Sequence, residues 1–381
     1  MRVAGYDTEC LPISDEESVS WGLKYANNEV CYPATLIIGD IIKAFRSGKY
    51  DPSKTVVGIT QTGGQCRASN YLPMLKKALI DAGYDNVPVI SLVLGSGIKN
   101  DQPAFHINWA KIFPIALRAI LYSDCINKFY HAAVVRENKS GVAAELRNVY
   151  LQIGAELIER GRSNELLKHL AIAAEEFNAI CHDIELPKVG IVGEIYLKFN
   201  SFAQRNIVDW LIEQHIEVVP PVLIDFFTQA FVNRRVKNKE YITKQDFSNI
   251  AMSGLYRVVD MEIKKFNNIG AKFHYFKAFG DIFHEAEQAE KIITLNAQFG
   301  EGWLLPGEII SYVESGVNNV ISLQPFGCIA NHIVSKGIEK RLKALYSELK
   351  LLSLDFDSSV SDVNIKNRLL LFIDNVNEYK C

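Results

Sequence analysis

Thr55-Val56-Val57-Gly58-Ile59-Thr60-Gln61-Thr62-Gly63-Gly64-Gln65-Cys66-Arg67 places a β-branched run, a glycine-rich bend and a cysteine in succession. The run Thr55–Thr60 has the composition of a buried strand. Arg67 to Gly83 continues as a helix ended by its glycine, and Val87–Leu94 reads as a second strand. Upstream, Pro33 to Phe45 carries Leu36, Ile37, Ile41, Ile42 and Phe45 at helical spacing. Strands alternating with helices predict a parallel sheet, because parallel neighbours need a crossover connection.

From Phe105 to about Glu185 the pattern turns helical, with Trp109–Phe129 and Val142–Ile180 as long helices and a break at Gly161. Pro187 opens a second α/β stretch: strand Lys188–Leu197, helix Ile207–His215 and strand Val218–Val222. Asp225–Ala289 reads mostly as helix. The end gives strand Lys291–Leu295, helix Gly307–Ser315, strand Asn319–Gln324, helix Gly337–Tyr346, strand Lys350–Phe356 and helix Ile365–Tyr379. The expected fold class is α/β, with two Rossmann-like lobes on parallel sheets. Residues 1–104 form the first lobe, 105–186 a helical segment, and 187–381 a second lobe with a helical insert at about 225–289.

A chain of 381 residues with 48% hydrophobic and 22% charged residues is globular and exceeds one ordinary core. A formal net charge of -3 leaves no electrostatic footprint for nucleic acid. The longest apolar runs, such as Leu369–Ile373, fall far short of the ~20 residues that span a bilayer. Asp7 and Glu9 follow Met1 too closely for a signal-peptide core. These features predict a soluble cytoplasmic protein, not one bound to a membrane or to nucleic acid.

The seven cysteines, Cys10, Cys31, Cys66, Cys125, Cys181, Cys328 and Cys381, include no CxxC pair, and an odd number in a reducing compartment argues against a disulfide framework. Three of them share a context. Cys31 stands two residues before Pro33, at the start of a helix. Cys66 follows a strand through glycines, and Cys328, in Gln324-Pro325-Phe326-Gly327-Cys328-Ile329, does so through a Pro/Gly loop. In a parallel sheet such loops gather at the carboxyl edge, where helix N-termini favour thiolates and anions. The other four read as small buried hydrophobes or lack a placing element. Three thiolates suit zinc, with His332 completing the set, or a [4Fe–4S] cube with one iron lacking a cysteine, and the residues leave both open.

Other candidates are mixed. Glu194, late in a strand, is a site carboxylate or a helix cap. Gly300-Glu301-Gly302-Trp303 is a tight turn or a site loop. Arg67 beside Cys66 could answer an anionic centre. His332 is a proton donor or a structural histidine at a helix start. Arg234-Arg235-Val236-Lys237-Asn238-Lys239 is a solvated basic face before it is a phosphate contact.

These stretches resemble the 2-hydroxyacyl-CoA dehydratase D-component superfamily, most closely the activase-related region found at the C-terminal end of large fused activase proteins. The likeness runs in order through Leu23–Ala34, Thr60–Tyr71, Val192–Phe199, Gly300–Leu305 and Gln324–His332. It implies a [4Fe–4S] cluster held by Cys31, Cys66 and Cys328 between the lobes. In such relatives an ATP-driven activator injects one electron, and ketyl radical chemistry eliminates water from a 2-hydroxyacyl-CoA. A branch with a double-cubane cluster needs more ligating cysteines than these. The chain carries no G-x-x-x-x-G-K-[ST] phosphate loop and begins at the cluster region, so either a separate activase ATPase is expected to donate the electron or the chain is a fragment of a fused activase. The resemblance further implies a homo- or heterodimer, an acyl-CoA substrate, and catalytic roles for Glu194 and His332, as a lyase or an ATP-dependent reductase component. The competing expectations are a non-catalytic electron-transfer or scaffold partner of the ATPase, and a zinc-bound binding module. On the first reading, Cys31, Cys66, Cys328, Glu194 and the Gly300–Trp303 loop line one cleft.

Overall fold

The computed structural model describes residues 1–27, 29–60, 66–92, 102, 105–243, 247–359 and 361–377, and its first α-helix, α1 (Glu16–Tyr25), is not among the expected elements. Asp15 starts it. The Asp15 carboxylate accepts from Ser18 N–H at 3.0 Å, and Ser18 Oγ accepts from Asp15 N–H at 3.2 Å, a capping box that satisfies two otherwise orphan donors. Asp15→Ala is expected to cost about 1 kcal/mol, read as a lower urea midpoint with an unchanged slope. α1 lies against α2 (Tyr32–Arg46), which starts at Cys31 with Pro33 in its first turn.

β1 (Val57–Thr60) and β2 (Val89–Leu92) pair in parallel, Val57 opposite Val89 and Thr60 opposite Leu92. Both are shorter than expected. Between them lie a 3-10 turn, Arg67–Asn70, and α3 (Tyr71–Asp81), so the expected single helix is two elements. The bend Gln61–Gln65 and Asn28 lie outside the described residues, as do 93 and 94.

A helical layer follows: α4 (Trp109–Ala133), α5 (Val142–Glu159) and α6 (Leu166–Ala179). Gly161 ends α5 at a φ of 72°, left-handed backbone that glycine adopts without strain. Phe129 and Phe177 of this layer pack on Phe273 to make its aromatic centre.

The remaining chain runs β3 (Lys188–Gly193), α7 (Ile195–Phe199), α8 (Ile207–Glu213), β4 (Glu217–Val219), α9 (Leu223–Lys239), α10 (Phe247–Gly270), α11 (Ile282–Glu290), α12 (Leu304–Glu314), β5 (Asn319–Pro325), a π-helix over Ile329–Ser335, α13 (Lys336–Leu345), β6 (Lys350–Phe356) and α14 (Asp362–Asn377). The molecule is mixed α/β and mostly helical, with small parallel sheets. Two expected strands need correction. Lys291–Leu295 is a turn between α11 and α12, not a strand: a short apolar run has no strand signal of its own without a neighbouring edge. β3 stops at Gly193, where Glu194 turns the chain into α7, rather than running to Leu197.

The second sheet has the order β4-β3-β5-β6, with every pair parallel. From β3 the chain moves first outward to β4 and then back across to β5, so the strand order reverses between β3 and β5. Crevices that bind ligands open beyond the carboxyl ends of strands at such a reversal. Those ends are Gly193-Glu194 and Pro325–Cys328. Gly193 has a φ of 129°, and a Cβ there would sit 2.1 Å from the Leu323 carbonyl oxygen, so only glycine lets β3 close on β5 at this point.

α2 joins the two sheets. Ile38, Ile41, Ile42 and Phe45 belong to the core under β1 and β2, whereas Tyr32 and Leu36 belong to the core of the four-stranded sheet. Its N-terminus, and with it Cys31, is thereby fixed where the two cores meet. Among the described residues, no helix is long and apolar enough to cross a membrane.

Candidate functional site

Each of the three loop cysteines is the residue immediately before a helical element. Cys31 caps α2, Cys66 caps the 3-10 turn, and Cys328 caps the π-helix. Free N–H groups at these starts carry partial positive charge. Each sulfur also meets a specific hydrogen-bonding group. Cys31 Sγ lies 3.0 Å from the Tyr71 hydroxyl. Ala68 N–H donates to Cys66 Sγ at 3.5 Å, and Asn331 Nδ2 donates to Cys328 Sγ at 3.6 Å. Burial, then the nearby Cys31, pushes the Tyr71 phenol well above its ordinary range, so the hydroxyl keeps its proton beside the thiol.

Cys31 interacts electrostatically with Cys66 and with Cys328, and the Glu194 carboxyl acts on all three thiols. Burial is the main cause that raises the Cys31 thiol, with Glu194 and Cys328 adding to it. Burial raises Cys66 too, helped by Glu301, Cys31 and Glu194. Cys328 is pushed up to about 11 by burial, with Glu301 and Glu194 contributing. A metal would have to displace protons from these thiols, so its binding would weaken as the pH falls. Among the described residues, no three His, Cys, Asp or Glu side chains close around a single-ion position.

Glu194 does both things the sequence allows. Its Oε2 accepts from Leu197 N–H at 3.0 Å, capping α7, and it faces the thiols from the end of β3. Burial first, then Glu301, pushes its carboxyl far up, so it holds a proton where exposed carboxyls have lost theirs. Glu301 is 4% exposed. Its Oε1 accepts from Ile195 N–H at 3.0 Å and its Oε2 from Asn331 Nδ2 at 3.3 Å. Asn331 thus ties Glu301 to Cys328, and its own Oδ1 is buried without a partner. Gly300, at a φ of 57°, leaves the loop so close to the sulfur that a Cβ there would sit 4.0 Å from Cys66 Sγ.

His332 stands beside the loop of Cys328. Its Nδ1 accepts from Gly327 N–H at 2.8 Å and its ring lies 5.0 Å from that of Phe326. The neutral ring therefore carries its proton on Nε2, and Nδ1 is committed to holding the Gly327 turn. Arg67 donates to the Glu29 carbonyl at 2.8 Å, which ties the two loops that carry Cys31 and Cys66. The basic stretch from Arg234 occupies the last turns of α9, with Arg235 over the Phe283 ring at 5.3 Å. Cys125 is fully buried in the helical layer, Cys181 sits at its edge, Cys10 is exposed, and Cys381 lies outside the described residues.

Tyr71, Asn331 and Glu301 are the site residues that motif reading undervalued. Glu301 between two glycines is a visible signal; Tyr71 and Asn331 lie inside the stretches Thr60–Tyr71 and Gln324–His332, but no residue type there marks them as partners of a sulfur. No protein-family model, curated protein or solved structure matches the chain.

Proposed function

We propose that the chain is a low-potential iron–sulfur protein related to the ATP-activated 2-hydroxyacyl-CoA dehydratases, with a [4Fe–4S] cluster on Cys31, Cys66 and Cys328 between two Rossmann-like lobes. The observation that carries this reading is the repeated local design: three cysteines from separate loops, each opening a helical element and each met by one hydrogen-bonding group at sulfur. Such groups and helix starts favour thiolates and tune a cluster's potential. The unpartnered Oδ1 of Asn331 and the buried Glu194–Glu301 pair fit a site completed by a bound group. When bound, the cluster would supply single electrons and, at an iron without a cysteine ligand, Lewis acidity.

The chain's own residues then have definite tasks. Tyr71, Ala68 N–H and Asn331 hold the sulfurs. Glu194, its carboxyl raised by burial and by Glu301, would give a proton to a leaving hydroxyl, and His332 would offer Nε2–H. Glu301 keeps α7 and the Cys328 loop in register through Ile195 and Asn331. A separate ATP-dependent activase would deliver the electron.

An acyl-CoA titration of anaerobically reconstituted protein tests the catalytic form of this reading. A 2-hydroxyacyl-CoA is expected to change the cluster's visible spectrum, whereas free CoA is not. Silence across a panel of acyl-CoA esters would favour the electron-transfer partner instead.

A further inference from the structure

Beyond the thiol site lies a second polar group of side chains that the reading above does not use. Asp225 on α9, Glu285 on α11 and Glu308 on α12 are 8%, 5% and 7% exposed. Glu308 Oε1 accepts from Lys198 Nζ at 2.9 Å. Among the described residues, Glu308 Oε2 and Glu285 Oε2 are buried without a hydrogen-bond partner. Asp124 on α4 faces Asp225 but is spoken for: it accepts from Leu223 N–H and Ile224 N–H and so caps α9. The other groups that face the cluster are Lys128 of α4, whose Nζ donates to the Lys277 carbonyl, Asp281 beside Glu285, and Tyr312 of α12. Carboxyls therefore outnumber ammonium groups in a dry space. An ionised carboxylate with a bare, buried oxygen is far costlier than a protonated one.

We propose that Asp225, Glu285 and Glu308 form an internal proton store that keeps at least one shared proton at neutral pH, and that Lys198 connects it to the Glu194–Glu301 pair. Lys198 is the only side chain of α7 bonded into the cluster among the hydrogen bonds described, and α7 is the helix that Glu194 caps. Its charge acts on Glu194, Glu308 and Asp225 alike. In one transfer the Glu308 carboxyl loses its proton, Lys198 relays one, and a carboxylate of the Glu194–Glu301 pair gains one; no electron moves and total charge is conserved. The store stands on the packing of α11 against α9 and α12 and on the bare buried oxygens, while its use as a proton supply rests on the reading of the thiol site.

Burial, aided by the neighbouring carboxylates, raises Asp225 and Glu285 above their ordinary range. Unfolded Asp225 loses its proton near its ordinary 3.8, whereas the folded chain keeps it to higher pH. The folded state thus binds more protons above that point, and stability falls as the pH rises from there towards neutrality.

The test uses full-length, metal-free protein, so its outcome does not depend on what the thiols bind. Infrared spectra in water and in D2O are expected to show a protonated-carboxyl band at pH 7, weakened in both Glu285→Gln and Asp225→Asn. Glu194→Gln should remove a separate component. Asp225→Asn is also expected to flatten the fall of melting temperature between pH 5 and pH 8, a second readout should either variant pack poorly. A band unchanged in both variants overturns the store, as does a band that appears only after cations are chelated, which would mean a cation site. Lys198→Met should slow exchange of the band in D2O; unchanged exchange overturns the connection and leaves the store.

Discussion

Cys31→Ala, Cys66→Ala and Cys328→Ala are each expected to reduce bound iron from about four atoms per chain to near none, with loss of the brown colour, whereas Cys125→Ala keeps it. The contrast follows from placement. The three loop thiols each open a helical element, and Cys31 interacts with the other two, while Cys125 is sealed in the aromatic layer around Phe129 and Phe177. With one of the three thiolates removed, only two would remain to hold a cluster, so partial occupancy is not the expected state. Cys125→Ala costs only the packing of a sulfur in a core. Iron and sulfide analysis after anaerobic reconstitution reads the outcome. Four equally brown variants would show that other side chains hold the metal.

Arg136→Met is expected to destabilise the fold by about 3–5 kcal/mol, because it leaves a buried carboxylate without its partner. Arg136 is 1% exposed and binds in four directions. Nη2 donates to Glu217 Oε2 at 2.7 Å, Nη1 to the Ala132 carbonyl at 2.8 Å and Nε to the Ile184 carbonyl at 3.1 Å, and the guanidinium stacks 4.1 Å from the centre of the Tyr275 ring. It thus fastens the end of α4, the connection into β3, the start of β4 and the chain after α10. Lys188 Nζ, 3.6 Å from the same Glu217 oxygen, offsets part of the loss. Urea unfolding checks it, and the double variant with Glu217→Leu should recover part of the stability by removing the stranded charge. A single-variant loss below about 1 kcal/mol would mean that the cluster of bonds around Arg136 contributes little net stability.

Much of the α/β framework was legible because buried strands are short apolar runs bounded by turn residues. Lys350–Phe356 is a strand over the expected range, and Asn319–Gln324 is extended by one residue. Lys291–Leu295 has the same local character, yet Ile292 packs with Ile309 and Ile310 of α12 against β3 and β5 instead of pairing in a strand. Pairing is a property of neighbours distant in sequence, so such a run cannot declare it. α1 was missed although Asp15 and Ser18 stand at capping-box spacing, since its apolar face is small and its close fit to α2 depends on tertiary contact. At the site, the cysteines and Glu194 were visible through glycine and proline context. Glu285 and Glu308 were not, because an acid on a helix looks like part of a solvated face until the opposing helices are in place.

The central claim is that three loop thiols hold one redox-active iron–sulfur cube. Electron paramagnetic resonance joined to metal analysis on anaerobically purified, chemically reduced protein tests it most directly. The account predicts about four irons and four sulfides per chain and a half-integer signal from a reduced cubane, abolished by Cys328→Ala. A colourless protein with stoichiometric zinc and no signal under the same conditions would contradict it.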